Sequence, residues 1–271
     1  VKPPPFDYVR AEHLDHALEL LREHGEDAKP VAGGQSLIPL LNLRMARPAL
    51  LVDINDLPLG ELAVDGSTLR TGALVRHHAL CSDPRVSATN PLLGAAARHI
   101  GHRAIRHRGT VGGSVAHADP AAELPLVALA CGGRIVARSA GGTREIAAAE
   151  FGNGPFMTAL EADELIVELR WPGGGAWGFA EFAERTGDFA TAAAAAVVLT
   201  GRVAITGVPG SPARLPTVEA AIRADPGLAA EELRAVAEAE LREHEPHLAG
   251  LVAEMVVRAV AQARHRERGA A

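Results

Sequence analysis

Val31-Ala32-Gly33-Gly34-Gln35-Ser36 and Gly109-Thr110-Val111-Gly112-Gly113-Ser114 are the stretches on which the reading of this chain turns. Each sets paired glycines beside a hydroxyl side chain. Glycine lets the backbone approach a ligand with no Cβ in the way and permits positive φ, so successive N–H groups can converge on an anion. Where such a turn opens a helix, unsatisfied N–H groups and the helix dipole add to the attraction. The first turn lies between an apparent strand at 29–32 and a helix that Ser36 can cap, running to about Leu43. A diphosphate carries two charged groups, so two opposed turns suit it better than one. Taken singly, paired glycines are most often plain tight turns, and this chain has 28 glycines to place. Neither stretch matches Gly-x-Gly-x-x-Gly or ends in Gly-Lys-Ser/Thr, which disfavours Rossmann and P-loop readings.

Outward from these turns, Leu14, Ala17, Leu18 and Leu21 recur at helical spacing until Gly25. Leu50-Leu51-Val52-Asp53-Ile54 reads as a buried strand, which makes the first fifty-odd residues a small β–α–β unit led by a helix. Residues 61–75 alternate around Asp65-Gly66, a hairpin signal. Helices are expected near 76–81 and 91–99, whereas 105–119 is polar and glycine-bearing with little helical period. An apolar helix at 121–130 ends at Gly132-Gly133. A second hairpin spans 134–146, and a strand at 164–171 is closed by Pro172. Gly173-Gly174-Gly175 is the best boundary. Beyond it come three strand-like runs, 177–185, 190–199 and 202–208, then helices at about 229–244 and 247–264. Strands followed by helices describe an α+β module.

At 271 residues the chain is one large domain or two modest ones. Hydrophobic residues at 48% and charged residues at 22% exclude a disordered chain. A net charge of −6 with 3% aromatics gives neither the electrostatic footprint nor the stacking platforms of a nucleic-acid binder. Cys81 and Cys131 can build neither a disulfide framework nor an iron–sulfur cluster. No apolar run approaches the ~20 residues of a spanning helix. The start, Val-Lys-Pro-Pro-Pro, lacks an apolar export segment, so a cytoplasmic protein with reduced thiols is expected.

Residues 31–47, Val-Ala-Gly-Gly-Gln-Ser-Leu-Ile-Pro-Leu-Leu-Asn-Leu-Arg-Met-Ala-Arg, resemble the first flavin-binding signature of the molybdenum-hydroxylase flavoprotein subunits. These are the medium subunit of aerobic carbon monoxide dehydrogenase and its relatives, and the flavin domain of xanthine dehydrogenase. Residues 105–125, with the second glycine turn and Asp119-Pro120-Ala121-Ala122-Glu123-Leu124-Pro125, resemble the second signature. Phe6-Asp7-Tyr8, Glu164-Leu165 and Gly187-Asp188-Phe189-Ala190 fall in the family's order too, so the resemblance covers about residues 4–200.

The resemblance implies an α+β protein. An FAD-binding domain of the type found in vanillyl-alcohol oxidase and para-cresol methylhydroxylase (PCMH) would occupy 1–175, as two α/β subdomains at about 1–55 and 56–175. A small C-terminal α+β domain, a three-stranded sheet plus helices, would occupy 176–271. It also implies noncovalent FAD. Val31, Ala32, Gly33, Gly34, Gln35, Ser36 and Leu37 would hold it on one side, and Thr110, Val111, Gly112, Gly113 and Ser114 on the other. Glu123, standing where Asp is usual, would bind the sugar-like part. Ile100 would lie near the adenine, Ile166 beside the flavin, and Asp188 and Phe189 near the isoalloxazine. No catalytic acid or base and no metal ligand is implied. The expected partners are a [2Fe–2S] subunit, a molybdopterin-containing large subunit and a small-molecule electron acceptor.

The sequence also departs from the family pattern. A lysine that helps bind FAD in xanthine dehydrogenase aligns with about Ala180. The region after Thr200 reads as shorter than in relatives, and the stretch before the last helix is not recognisable in 243–250. His99, His102, His107 and the pair His117/Asp119 fit no zinc spacing and read as surface or capping groups. His77-His78 read as buried or helix-surface residues. The cysteines read as small core residues, and Arg264-His265-Arg266 as a frayed, solvated helix end. The leading function is an electron-transfer flavoprotein subunit. The alternatives are a free-standing FAD-dependent oxidase or dehydrogenase acting on a small organic substrate, and a degenerate interaction module, against which both intact glycine turns argue.

Overall fold

The computed structural model describes residues 2–270. The first layer runs β1 (Asp7–Arg10), α1 (Leu14–His24), β2 (Ala28–Val31), α2 (Leu37–Asn42) and β3 (Leu50–Asp53). α1 forms because Ala17, Leu18 and Leu21 share one buried face, and it stops where the Gly25 N–H returns to the Leu21 carbonyl. β1 and β2 flank β3 in an all-parallel sheet. The unit therefore starts with a strand, not with the helix expected from sequence. β1 is exposed at three of its four residues, so no apolar alternation marks it.

The second layer begins with the hairpin β4 (Leu62–Asp65) and β5 (Thr68–Gly72). Six short helices follow: α3 (His77–Ser82), α4 (Pro84–Thr89), α5 (Pro91–Ala97), α6 (Arg103–Arg108), α7 (Val111–His117) and α8 (Glu123–Cys131). The chain then forms β6 (Arg134–Ser139), β7 (Gly142–Ala147), α9 (Ala148–Phe151), the small pair β8 (Gly152–Gly154) and β9 (Met157–Thr158), and β10 (Leu165–Pro172). The antiparallel sheet has the order β4-β5-β10-β6-β7. At its centre Trp171 is fully buried and its Nε1 donates to Thr71 Oγ1 at 2.9 Å. The stretch 105–119, expected to be largely non-helical, belongs mostly to α6 and α7. These hold six and seven residues, too short to display a period.

The C-terminal part holds β11 (Trp177–Phe182), β12 (Ala192–Val197), β13 (Arg202–Thr206), β14 (Ala213–Arg214), α10 (Pro216–Ala224), α11 (Ala230–Glu240) and α12 (Pro246–Ala270). Its sheet has four strands, not three, and its helices number three, not two. β14 is only two residues long, below what an alternation pattern can register. β12, Ala-Ala-Ala-Ala-Ala-Val, is buried on both faces. Ala193, Ala195 and Val197 join the core shared with α5 and α8, while Ala192, Ala194 and Ala196 join the core under α12. Small side chains let both layers press in closely. A Cβ on Gly178 in β11 would lie 1.7 Å from the Ala259 carbonyl oxygen of α12.

The end of α12 also differs from the sequence expectation. Arg264 donates to the Leu228 carbonyl, and Arg266 lies 3.7 Å from the Trp177 ring centre while donating to the Trp177 carbonyl. These cations are packed, not frayed, because the indole face and free carbonyls accept them. Among the described residues no helix is long and apolar enough to cross a membrane.

Candidate functional site

A cavity of about 620 Å³ opens between the first and second layers, with the 187–189 loop on its rim. Ala32 leaves β2, and Gly33, Gly34, Gln35 and Ser36 cross to α2, which starts at Leu37; all six line this cavity. Among the described residues the backbone N–H groups of Gly33, Gly34, Gln35 and Ser36 donate to no acceptor, so the first turn presents a run of free donors. Ser36 does not cap α2 with its side chain. Its ψ of −48° is already helical, whereas a capping residue needs an extended backbone.

The second turn faces the first across the cavity: Thr110, Gly112, Gly113 and Ser114 line it. Its amides from Val111 to Ser114 are not free, contrary to the sequence reading. Val111 N donates to Val75 O, Gly112 N to Ala73 O, Gly113 N to Thr110 Oγ1 and Ser114 N to Thr110 O, at 2.8–3.2 Å. What this turn offers is exposed backbone at Gly113 and the Ser114 hydroxyl, while Gly112 is buried where a Cβ would strike Ala73. Val111 is buried in the core. Val31 is the other departure: it lines a second recess of about 460 Å³ with Tyr8 and Asp53, not the main cavity. The turns touch through backbone, since a Cβ on Gly33 would lie 2.4 Å from the Arg108 carbonyl oxygen.

The remaining expected residues meet on the same cavity. Glu123, first residue of α8, is 6% exposed on its wall, and burial pushes its carboxyl up to about 7, with Glu181 nearby acting in the same direction. Ile100 and Ile166 are buried wall residues, the latter beside a ladder irregularity between Ile166 and Glu168. Asp188 and Phe189 complete the rim, with Phe189 exposed. Ala180 lies in the core under α12 and does not reach the cavity. Its neighbour Glu181 instead pairs with His99, Nδ1 to Oε1 at 3.3 Å, which raises the His99 pKa. His117 packs on Phe156 and His107 on His78, while Cys131 is buried with its thiol pushed up to about 12.

His77, read from the sequence as a buried or helix-surface residue, is buried and forms part of the cavity wall. Its Nε2 lies 2.9 Å from the Thr110 carbonyl, and burial lowers its pKa to about 4. Its position in an adjacent His-His pair gave no sign of which ring points inward. The cavity also sits beside a cationic stretch: residues 84–118 hold five arginines and no Asp or Glu in a chain of net charge −6.

The family model described as "FAD binding domain in molybdopterin dehydrogenase" matches residues 4–173. The chain belongs to this FAD-binding family of the molybdopterin dehydrogenases. It is 42% identical to the 6-hydroxypseudooxynicotine dehydrogenase complex subunit alpha of Paenarthrobacter nicotinovorans, over 99% of this chain and 97% of that one. It is 40% identical to the carbon monoxide dehydrogenase medium chain of Hydrogenophaga pseudoflava, over 72% of this chain and 70% of the relative. Among solved structures it is similar to a carbon monoxide dehydrogenase from Hydrogenophaga pseudoflava, with a TM-score of 0.91 at 34% identity, covering 98% of this chain and 99% of that one. Quinoline 2-oxidoreductase from Pseudomonas putida 86 gives 0.89 at 31%, over 98% and 99%. The region after Thr200, read as shortened, is thus matched along with the rest.

As a member of this FAD-binding family, the chain is a medium-subunit-type FAD-dependent oxidoreductase component, and its cofactor is FAD. The site fits that group in size and chemistry. Its volume falls within the ~300–1,000 Å³ usual for cofactor sites, free amides suit a diphosphate, and the buried Glu123 carboxyl suits hydroxyl groups.

Proposed function

We propose that this chain is the flavin subunit through which a multi-subunit molybdenum hydroxylase delivers electrons from the [2Fe–2S] clusters of one partner to an external acceptor. A molybdopterin-containing large subunit would oxidise the substrate. The observation that carries the reading is the pairing of two backbone turns on one cavity, four amides without an acceptor among the described residues on one side and the Gly112-Gly113 backbone with a serine hydroxyl on the other.

In this reading Gly33, Gly34, Gln35 and Ser36 bind the diphosphate through N–H groups. Gly112, Gly113 and Ser114 flank it, Glu123 accepts from hydroxyls, and Ile100 and Ile166 cover apolar ring surface. Bound FAD supplies the redox chemistry itself. The protein's part is to hold it, exclude water from its apolar walls and leave one edge reachable at Phe189. Residues 1–175 would form the FAD-binding part and 176–271 its C-terminal support.

Two cysteines cannot ligate two clusters, so any [2Fe–2S] groups would be held outside these 271 residues. Two of the relatives described above carry "complex subunit" and "medium chain" in their names, which supports a subunit role. The test is to purify the chain with its natural partners and mix the complex rapidly with the oxidisable substrate. One FAD per chain, reduced after the iron–sulfur signals, is the expected result. Reduction of the flavin by a small organic substrate in this chain alone would instead favour a free-standing dehydrogenase.

A further inference from the structure

Arg76 and His77, at the start of α3, engage three consecutive carbonyls of the second glycine turn. Arg76 Nη1 donates to Arg108 O, His77 N donates to Gly109 O at 3.1 Å, and His77 Nε2 lies 2.9 Å from Thr110 O. A carbonyl only accepts, so His77 Nε2 carries the hydrogen and the ring is the neutral Nε2–H tautomer. Its Nδ1 is buried without a partner, packed against Gly109. The same Arg76 reaches the other turn as well: Nη2 donates to Asn55 Oδ1 at 2.8 Å, and Asn55 Nδ2 donates to Ala32 O at 2.8 Å. An unbroken path of hydrogen bonds therefore runs from the first turn through Asn55 and Arg76 to the second.

We propose that Asn55, Arg76 and His77 form a clasp that sets the spacing of the two turns and draws the negative ends of three turn carbonyls onto protein donors, making the pair receptive to a diphosphate. These are positioning residues, and the inference rests on the FAD reading given above. The physical reason is that a carbonyl oxygen left free beside a phosphate repels it, while one held by a buried donor is largely neutralised. Asn55 and Arg76 add reach. Arg76 is a planar fork able to serve two acceptors at once, which a lysine cannot copy. Among the described residues no carboxylate lies within ion-pair distance of Arg76, though Asp53 is near enough to act on its charge.

The test strips FAD from the purified wild type and from the variants His77→Leu, His77→Gln and Arg76→Lys, then titrates FAD back by flavin fluorescence. His77→Leu and Arg76→Lys are expected to raise the FAD Kd at least ~10-fold, the size of one lost charge-assisted or buried hydrogen bond. His77→Gln keeps an N–H donor near the ε position and is expected to stay within about 3-fold of wild type. The pH profile gives a second readout. The wild type should lose FAD affinity only as pH falls toward about 4, where His77 of the folded protein takes up a second proton that has no acceptor and faces Arg76 and Arg106; His77→Gln should not. The inference is overturned if His77→Leu and His77→Gln bind alike, or if Arg76→Lys binds as the wild type does. Should His77→Leu fail to fold, Arg76→Lys and the pH profile of His77→Gln still decide. A wild type that takes up no FAD would sink the underlying reading instead, which keeps the two failures apart.

Discussion

Glu123 has its carboxyl almost out of reach of water and pushed up to about 7, from an ordinary value of 4.5. Between those values the folded state holds a proton the unfolded chain has released. Stability without FAD therefore falls as pH rises from about 4.5 to 7 and stays low above that window. His77 acts in the opposite sense, its pKa lowered from 6.5 to about 4, so its contribution to stability rises with pH between those limits. The two slopes largely offset each other between about 4.5 and 6.5, and the Glu123 effect is read by difference. Glu123→Gln should stabilise the FAD-free protein by ~2–3 kcal/mol at pH 8 and by almost nothing at pH 4.5 in urea denaturation. An equal gain at both pH values would show that the carboxyl titrates normally. The position of Glu123 was legible from its motif. The place of His77 on the cavity wall was not, because hydropathy does not say which ring of the His77-His78 pair points inward.

At the scale of elements, the two glycine turns are held in backbone contact at Gly33 and Arg108. Gly33→Ala puts a methyl where the Arg108 carbonyl stands, so the turns must part. FAD affinity should fall at least ~10-fold, while the FAD-free melting temperature drops by only a few degrees, equivalent to ~1 kcal/mol. A large melting change with unaltered affinity would assign Gly33 to folding alone. Gly178→Ala tests a different junction, β11 against α12, and should cost ~2–3 kcal/mol or more with little effect on flavin binding at equal folded fraction. The elements legible in the sequence were those that carry a period, α1 and the two hairpins, or a continuous apolar run, β3, α8 and β12. Those that were not are short or exposed. β1 lies at a sheet edge with three exposed residues, β14 pairs through two residues, and α6 and α7 have less than two full turns. The turn chemistry was half legible. Gly-Gly predicts close backbone approach at both turns, but tertiary pairing with Ala73 and Val75 and local bonds to Thr110 decide that the amides of Val111 to Ser114 are already taken.

Across the whole molecule, two cores share one sheet, β12 lending alternate residues to each, and the flavin cavity lies at the junction of the first two layers. Binding there should stabilise the layers together. At free FAD 100 times its Kd, unfolding should cost about 2.7 kcal/mol more than in the FAD-free protein, by mass action. The central claim is that the paired turns grip the diphosphate. Its most direct measurement is titration of the FAD-stripped protein with FAD and, separately, with riboflavin, which lacks the diphosphate and adenosine. The account predicts that FAD binds at least ~100-fold tighter, with most of that preference lost in Gly33→Ala. Equal affinity for the two flavins would contradict it.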